Sequence, residues 1–225
     1  MKRSMVNTAM KQALALFSEY KISLPDFLFV APDEWKNKGD EVSEIIENEL
    51  GWDITDFGLG EFDKKGLFLI TLRNGSQKNP EKYPKPYAEK LMIVKENQVT
   101  LMHYHWYKIE DIINRGGGDL VIKLYNSTED NKLADTDVSV SIDGVRYTFP
   151  AGHIVRLKPG QSITLTQGLF HSFWAEGGTV IAGEVSMCND DANDNCFYDP
   201  VGRYSEIEED EPPLYLLCNE YNKWR

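Results

Sequence analysis

Cysteine is scarce in this 225-residue chain. Cys188, Cys196 and Cys218 are odd in number and form no Cys-x-x-Cys pair. That argues against a disulfide-stapled scaffold and predicts reduced thiols in a reducing compartment. The sequons Asn74-Gly75-Ser76 and Asn126-Ser127-Thr128 are then expected to be silent, and the expected location is the cytoplasm. No apolar run approaches 18 residues, which removes a membrane-spanning helix. The basic start MKRSMVNTAMKQ lacks the continuous apolar stretch of a signal peptide. Cations are also in deficit, with 24 Lys and Arg against 36 Asp and Glu, net −12. A polyanionic partner, whether nucleic acid or an anionic membrane, is disfavoured by that balance. Histidine is scarce as well, at four residues, so the places where histidines gather stand out.

Three of the four fall into one pattern. Val99 to Gly118 reads VTLMHYHWYKIEDIINRGGG. Side chains two apart on a strand share a face, which sets His103 beside His105. Glu110 follows after enough chain to bend back, and His171 lies downstream in TQGLFHSFW. Three imidazoles and a carboxylate suit Mn(II), Fe(II), Co(II), Ni(II) or Zn(II), and ligand type alone does not choose among them. His153, in PAGHIV, is left over as a loop or strand-end residue.

Around these residues the periodicity is that of a β protein. Ser4 or Asn7 is expected to cap a helix running to about Tyr20, with Met10, Ala13, Leu14 and Phe17 on its apolar stripe. A second helical stretch is expected from Asp33 or Asp40, carrying Val42, Ile45, Ile46 and Leu50 and stopping near Gly51. From Asp53 the period falls to two. Short strands follow, with hairpin turns expected at Glu96-Asn97, Asp143-Gly144 and Gly177-Gly178. Many short strands between turn signals indicate a sandwich or barrel, and a chain this long buries about 70% of its unfolded surface without disulfide help. The acidic segment 189–213 is long for a connection and reads as a lid or a disordered loop, with Arg203 a lone cation within it.

Two further residues bear on chemistry. Glu184 sits in the apolar strand GTVIAGEVSM, and Lys90 lies on the strand before the histidines. If Glu184 points inward, burial should raise its pKa towards that of a useful base. An acid and a base beside a metal can move a proton between adjacent carbons.

His103, His105, Glu110 and Gly117 match the first motif of the cupin superfamily, and Gly160, Gly168 and His171 match the second. Thr166 and Ala175 stand where that family usually has Pro and often Asn. Beyond the motifs, the N-terminal helices, the segment PKPYAEKLMIVKENQVTLMHYHWYKIEDIINRGGGDLVIKLYNS and the Glu184 strand resemble the D-lyxose isomerase family. The resemblance implies one mainly β, cupin-type (jelly-roll) barrel with flanking N-terminal helices. Residues 1–52 would be the helical extension, 53–188 the barrel core, and 189–225 the acidic loop and C-terminal segment. It also implies a Mn(II)-dependent homodimer interconverting D-lyxose and D-xylulose, and D-mannose and D-fructose. The metal ligands would be His103, His105, Glu110 and His171, and the substrate-side groups Lys90, Glu184, Asp194 and Arg203. A dioxygenase using the same four ligands and a non-catalytic sugar-binding cupin are the competing readings.

Overall fold

The structure, a computed structural model, describes residues 1–224. Helix α1 (Arg3–Glu19) buries Met10, Ala13 and Phe17 of the expected stripe, with Leu14 half-buried beside them and Val6 extending the buried face towards the N-terminus. Neither Ser4 nor Asn7 caps it. The first-turn donors are met from the far end of the chain, where the Arg3 amide donates to the Glu208 carbonyl (2.8 Å) and the Ser4 amide to Asp210 Oδ1 (2.9 Å). An anionic side chain at a helix N-terminus satisfies orphan N–H groups and suits the helix dipole. The second helical stretch is shorter than its pattern suggests. It is broken into 3₁₀ turns at Pro32–Asn37 and Asp40–Val42 and a five-residue helix α2 (Ser43–Glu47). Gly39 interrupts it, and a left-handed Glu49 (φ 52°) ends it.

Eleven strands follow: β1 (Gly51–Thr55), β2 (Leu67–Arg73), β3 (Tyr87–Val94), β4 (Thr100–Tyr104), β5 (Glu110–Asn126), β6 (Val138–Ile142), β7 (Val145–Phe149), β8 (Ile154–Leu157), β9 (Ser162–Leu165), β10 (Leu169–Met187) and β11 (Cys196–Phe197). The hydrogen-bonded path runs β1-β2-β3-β10-β5-β9-β6-β7, with β4 on β10 and β8 on β5. Strands β5 and β10 pair along nearly their whole lengths and change outer partners halfway, which wraps the sheet into a barrel. Inward side chains such as Leu69, Met92, Ile112, Ile163 and Phe173 form the barrel core. Their outward neighbours Phe68, Ile70, Leu91 and Ile93 pack under α1. This is the mainly β, cupin-type barrel with N-terminal flanking helices that the sequence implies.

Two expected hairpins are corrected. The Glu96-Asn97 turn forms, with Asn97 at φ 60°, but β4 does not fold back on β3. Both edges of β3 are already taken by β2 and β10, so β4 crosses to pair with β10 and β11. At Gly177-Gly178 there is a bend rather than a turn, and β10 continues through it. Gly117 of β5 crosses at this bend with φ 101°, and any side chain there would overlap the Thr179 carbonyl, which is why the first motif ends in glycine. The Asp143-Gly144 hairpin between β6 and β7 forms as expected.

Candidate metal centre and sugar cavity

The crossing of β4 sets His103 directly opposite His171 in the β4–β10 register. His105 follows the end of β4, and Glu110 opens β5. All four are buried. The ring centroids of His103 lie 5.2 Å from His105 and 4.2 Å from His171, and one nitrogen from each of the three histidines lies within 4.8 Å of the others. Each Nδ1 faces a backbone carbonyl: Leu101 for His103 (2.7 Å), Asp194 for His105 (2.7 Å) and Leu169 for His171 (3.0 Å). A carbonyl only accepts, so each Nδ1 carries the hydrogen and each Nε2 presents a lone pair. Glu110 Oε1 lies 3.2 Å from His171 Nε2 and 3.5 Å from His105 Nε2. Burial, reinforced by His171 and His105, holds His103 well below the ordinary imidazole range. It is therefore neutral, as a ligand must be. For Glu110, burial opposes ionisation but Lys108 and His105 outweigh it, and the carboxyl sits well below its usual range.

Glu184 points into the same cavity from β10, opposite Lys90 of β3. Its expected pKa direction is corrected. Burial alone would raise it, but the ammonium groups of Lys108 and Lys90 pull the carboxyl below its ordinary value. Lys108 Nζ donates to Glu184 Oε1 (2.8 Å) and also meets Glu110 Oε2 (2.7 Å). Lys90 Nζ lies 3.4 Å from Glu184 Oε1 and donates to Asn189 Oδ1 (2.6 Å).

Segment 189–205 forms an ordered strap over this cavity. Asn74 fixes its start, accepting from the Asn189 amide (2.9 Å) and donating to the Asn189 carbonyl (3.0 Å). Strand β11 adds to the edge of β4 and lays Phe197 5.6 Å from the His103 ring. Arg203, its side chain 11% exposed, lies against two carboxylates, with Nη2 donating to Asp191 (2.8 Å) and to Asp53 of β1. Its Nη1 is buried without a hydrogen-bond partner among the described residues, and Arg203 lines the cavity. Asp194 plays a different part from the one the sequence suggests. Its carboxylate accepts from the backbone amides of Tyr107 (2.8 Å) and Lys108 (3.0 Å), and its carbonyl holds His105. It shapes the loop between His105 and Glu110 and is not among the residues that line the cavity.

Lys108, Asp191 and Asp53 were not singled out from the sequence. Lys108 carried one readable signal, its place two residues before Glu110 inside the first motif. The two aspartates carried none. His153 stacks on Phe149 (4.1 Å) and lies outside the cluster. All three cysteines are free. No helix among the described residues is long and apolar enough to cross a membrane.

About 450 Å³ of empty space, part of it open to solvent, lies among the residues that line the cavity. Apolar side chains such as Leu69, Met92 and Phe173 form one part of its wall, and a dense set of convergent polar and charged groups forms the rest, which suits a polar small molecule.

Comparison with known proteins gives one answer at the level of family. The family model described as D-lyxose isomerase matches residues 1–221. The D-lyxose/D-mannose isomerase of Escherichia coli O157:H7 is 48% identical over 228 residues, covering 100% of both chains. The protein of the same name from Serratia proteamaculans is 49% identical over 224 residues, covering 98% of each. Among solved structures, L-ribose isomerase from Acinetobacter sp. DL28 in complex with L-ribose superposes with TM-score 0.61 at 14% identity. That from Cellulomonas parahominis with L-ribose gives 0.59 at 14%. Each of these two covers 92% of this chain and 98% of its own, and at such identity they bear on the fold alone. The chain belongs to the D-lyxose isomerase family and is a sugar isomerase.

Proposed function

We propose that this isomerase interconverts D-lyxose with D-xylulose, and D-mannose with D-fructose, by proton transfer through a cis-enediol. The reading includes a single cupin domain working as a cytoplasmic homodimer with Mn(II) as its resident metal. The observation that carries it is Glu184, a buried carboxylate in one cavity with three converging imidazole nitrogens.

The donor set fits a divalent cation. His171 Nε2 is buried without a hydrogen-bond partner among the described residues, and every Nδ1 is already engaged. His103, His105, His171 and Glu110 would hold the ion. When bound there, it supplies positive charge that polarises adjacent oxygens of the sugar. Glu184 starts ionised, so it takes the proton from C2 and returns it to C1. Lys90, hydrogen-bonded to the strap, moves the hydroxyl proton between the two oxygens. Arg203 Nη1 offers a donor to a hydroxyl. The Nη2 side of that guanidinium already meets Asp53 and Asp191, which favours an uncharged sugar over a phosphorylated one.

Incubating the Mn(II)-loaded protein under nitrogen with a panel of aldopentoses and aldohexoses tests this reading. D-Lyxose and D-mannose should be converted without oxygen. A strict need for dioxygen, or failure to convert either sugar, would overturn it.

A further inference from the structure

We propose that Lys108 is a positioning residue of this isomerase, a buried cation clamped between Glu110 and Glu184 that aims the second while capping the oxygen of the first that is not turned to the histidines. The inference rests on the isomerase reading above.

Lys90 and Lys108 are the buried lysines among the described residues, and Lys108 is the one held within 3 Å of two carboxylates. Its side chain is 2% exposed, and its ammonium meets Glu110 Oε2 at 2.7 Å and Glu184 Oε1 at 2.8 Å. A third acceptor, Asn189 Oδ1, stands at 3.5 Å. Its backbone is pinned as well, since the Lys108 amide donates to Asp194, whose carbonyl holds His105. A flexible four-carbon stem is thereby held at both ends. With Oε2 taken by Lys108, Glu110 turns its other oxygen to His171 and His105. With Oε1 taken by Lys108 and by the Ser186 hydroxyl (3.0 Å), Glu184 has one rotational setting supported from two sides. Lys90 makes a longer contact with the same oxygen and leans on the strap, so the closer fixing of Glu184 falls to Lys108.

A buried ammonium beside a cation site has a second effect. It repels the ion that the neighbouring carboxylate attracts. Lys108 therefore weakens cation binding while it supports turnover. Removing a residue needed only for folding would instead lower cation binding and turnover together.

The experiment compares Lys108→Met, Lys108→Arg, Glu184→Gln and the Lys108→Met/Glu184→Gln double variant. Each is scored for Mn(II) affinity by calorimetry, for kcat and KM on D-lyxose, and for thermal unfolding. Lys108→Met should bind Mn(II) severalfold more tightly than wild type yet lose about 10²-fold in kcat with KM little changed. Adding it to Glu184→Gln should cost almost nothing more, because Lys108 acts through that carboxylate. Lys108→Arg should recover much of the lost turnover. Weaker Mn(II) binding by Lys108→Met, or losses that multiply in the double variant, would overturn the proposal. If Lys108→Met alone fails to fold, the double variant, which removes a buried cation and anion together, carries the comparison against Glu184→Gln. Mn(II) affinities are read with or without catalysis, so an inactive wild type would sink the isomerase reading separately.

Discussion

Lys90 stands directly opposite Glu184 in the β3–β10 register, their charged ends 3.4 Å apart on the inner face of the barrel. A strand pair whose facing residues are apolar along most of its length thus carries one ion pair, and it faces the cavity. Replacing Glu184 with Gln keeps the shape and removes the base. Turnover of D-lyxose should fall about 10² to 10⁴-fold, the usual worth of general acid–base help. Bound Mn(II), measured by elemental analysis, should stay at the wild-type level. An active Glu184→Gln enzyme would take the proton-transfer role away from this residue.

Turnover in deuterated water separates proton transfer from a hydride shift. A carboxylate that carries the proton between C2 and C1 exchanges part of it with solvent, so nuclear magnetic resonance of the product should show deuterium at the carbon that receives it. Shielded return lowers the fraction. Complete absence of deuterium points to a hydride shift.

His103→Ala and His171→Ala each remove one of the converging Nε2 atoms. Both variants should lose Mn(II) and activity together, with metal content and isomerase rate measured on the same sample. Full occupancy in either would remove that histidine from the ligand set.

Arg3 is buried, and its guanidinium is shared between Glu220 and Glu209. Arg3→Met leaves Glu220, itself only 6% exposed at the side chain, without its cation. Removing one partner of a buried pair costs about 3 kcal/mol or more. In a chain of this size that lowers Tm by roughly 10 °C, which calorimetry reads directly.

Glu49 gives a pH-dependent outcome. Burial, with Asp191 and Asp53 nearby, raises its carboxyl above the ordinary value. A raised acid favours the folded state when protonated. Its contribution is present below the unfolded pKa and is lost as pH rises through the folded one. Glu49→Gln should therefore unfold at a higher temperature than wild type at pH 7, with the gap closing as pH falls towards 4. An unchanged gap across that range would show that Glu49 does not titrate differently on folding.

The sequence was most informative where chemistry follows local spacing. Period two set His103 and His105 on one face, and motif intervals pointed to Glu110, Gly117 and His171. It was least informative about partners. Asn97 marks a turn whether the next strand folds back or crosses over, and the occupied edges of β3 decide between the two. Gly177-Gly178 bends a strand here because Gly116 to Gly118 of β5 cross at the same level. Asp53 meets Arg203 from 150 residues away, so its role depends on the path of the strap. For Glu184 the apolar strand left its direction open, and its charge state turns on Lys108, reached through a loop with no regular period.

The strap also sets an order of assembly. A chain synthesised as far as Met187 already holds the three histidines, Glu110, Lys108 and both members of the β5–β10 pair. It still lacks Asp194, which anchors the loop between His105 and Glu110, and Arg203, which ties the strap to β1. The tie between Arg3 and Glu220 closes 217 positions along the chain. On the ribosome the proposed metal ligands therefore emerge while the mouth of the barrel is still open, and the strap follows them. A cation taken up at the proposed site can reach it before the cavity has a roof.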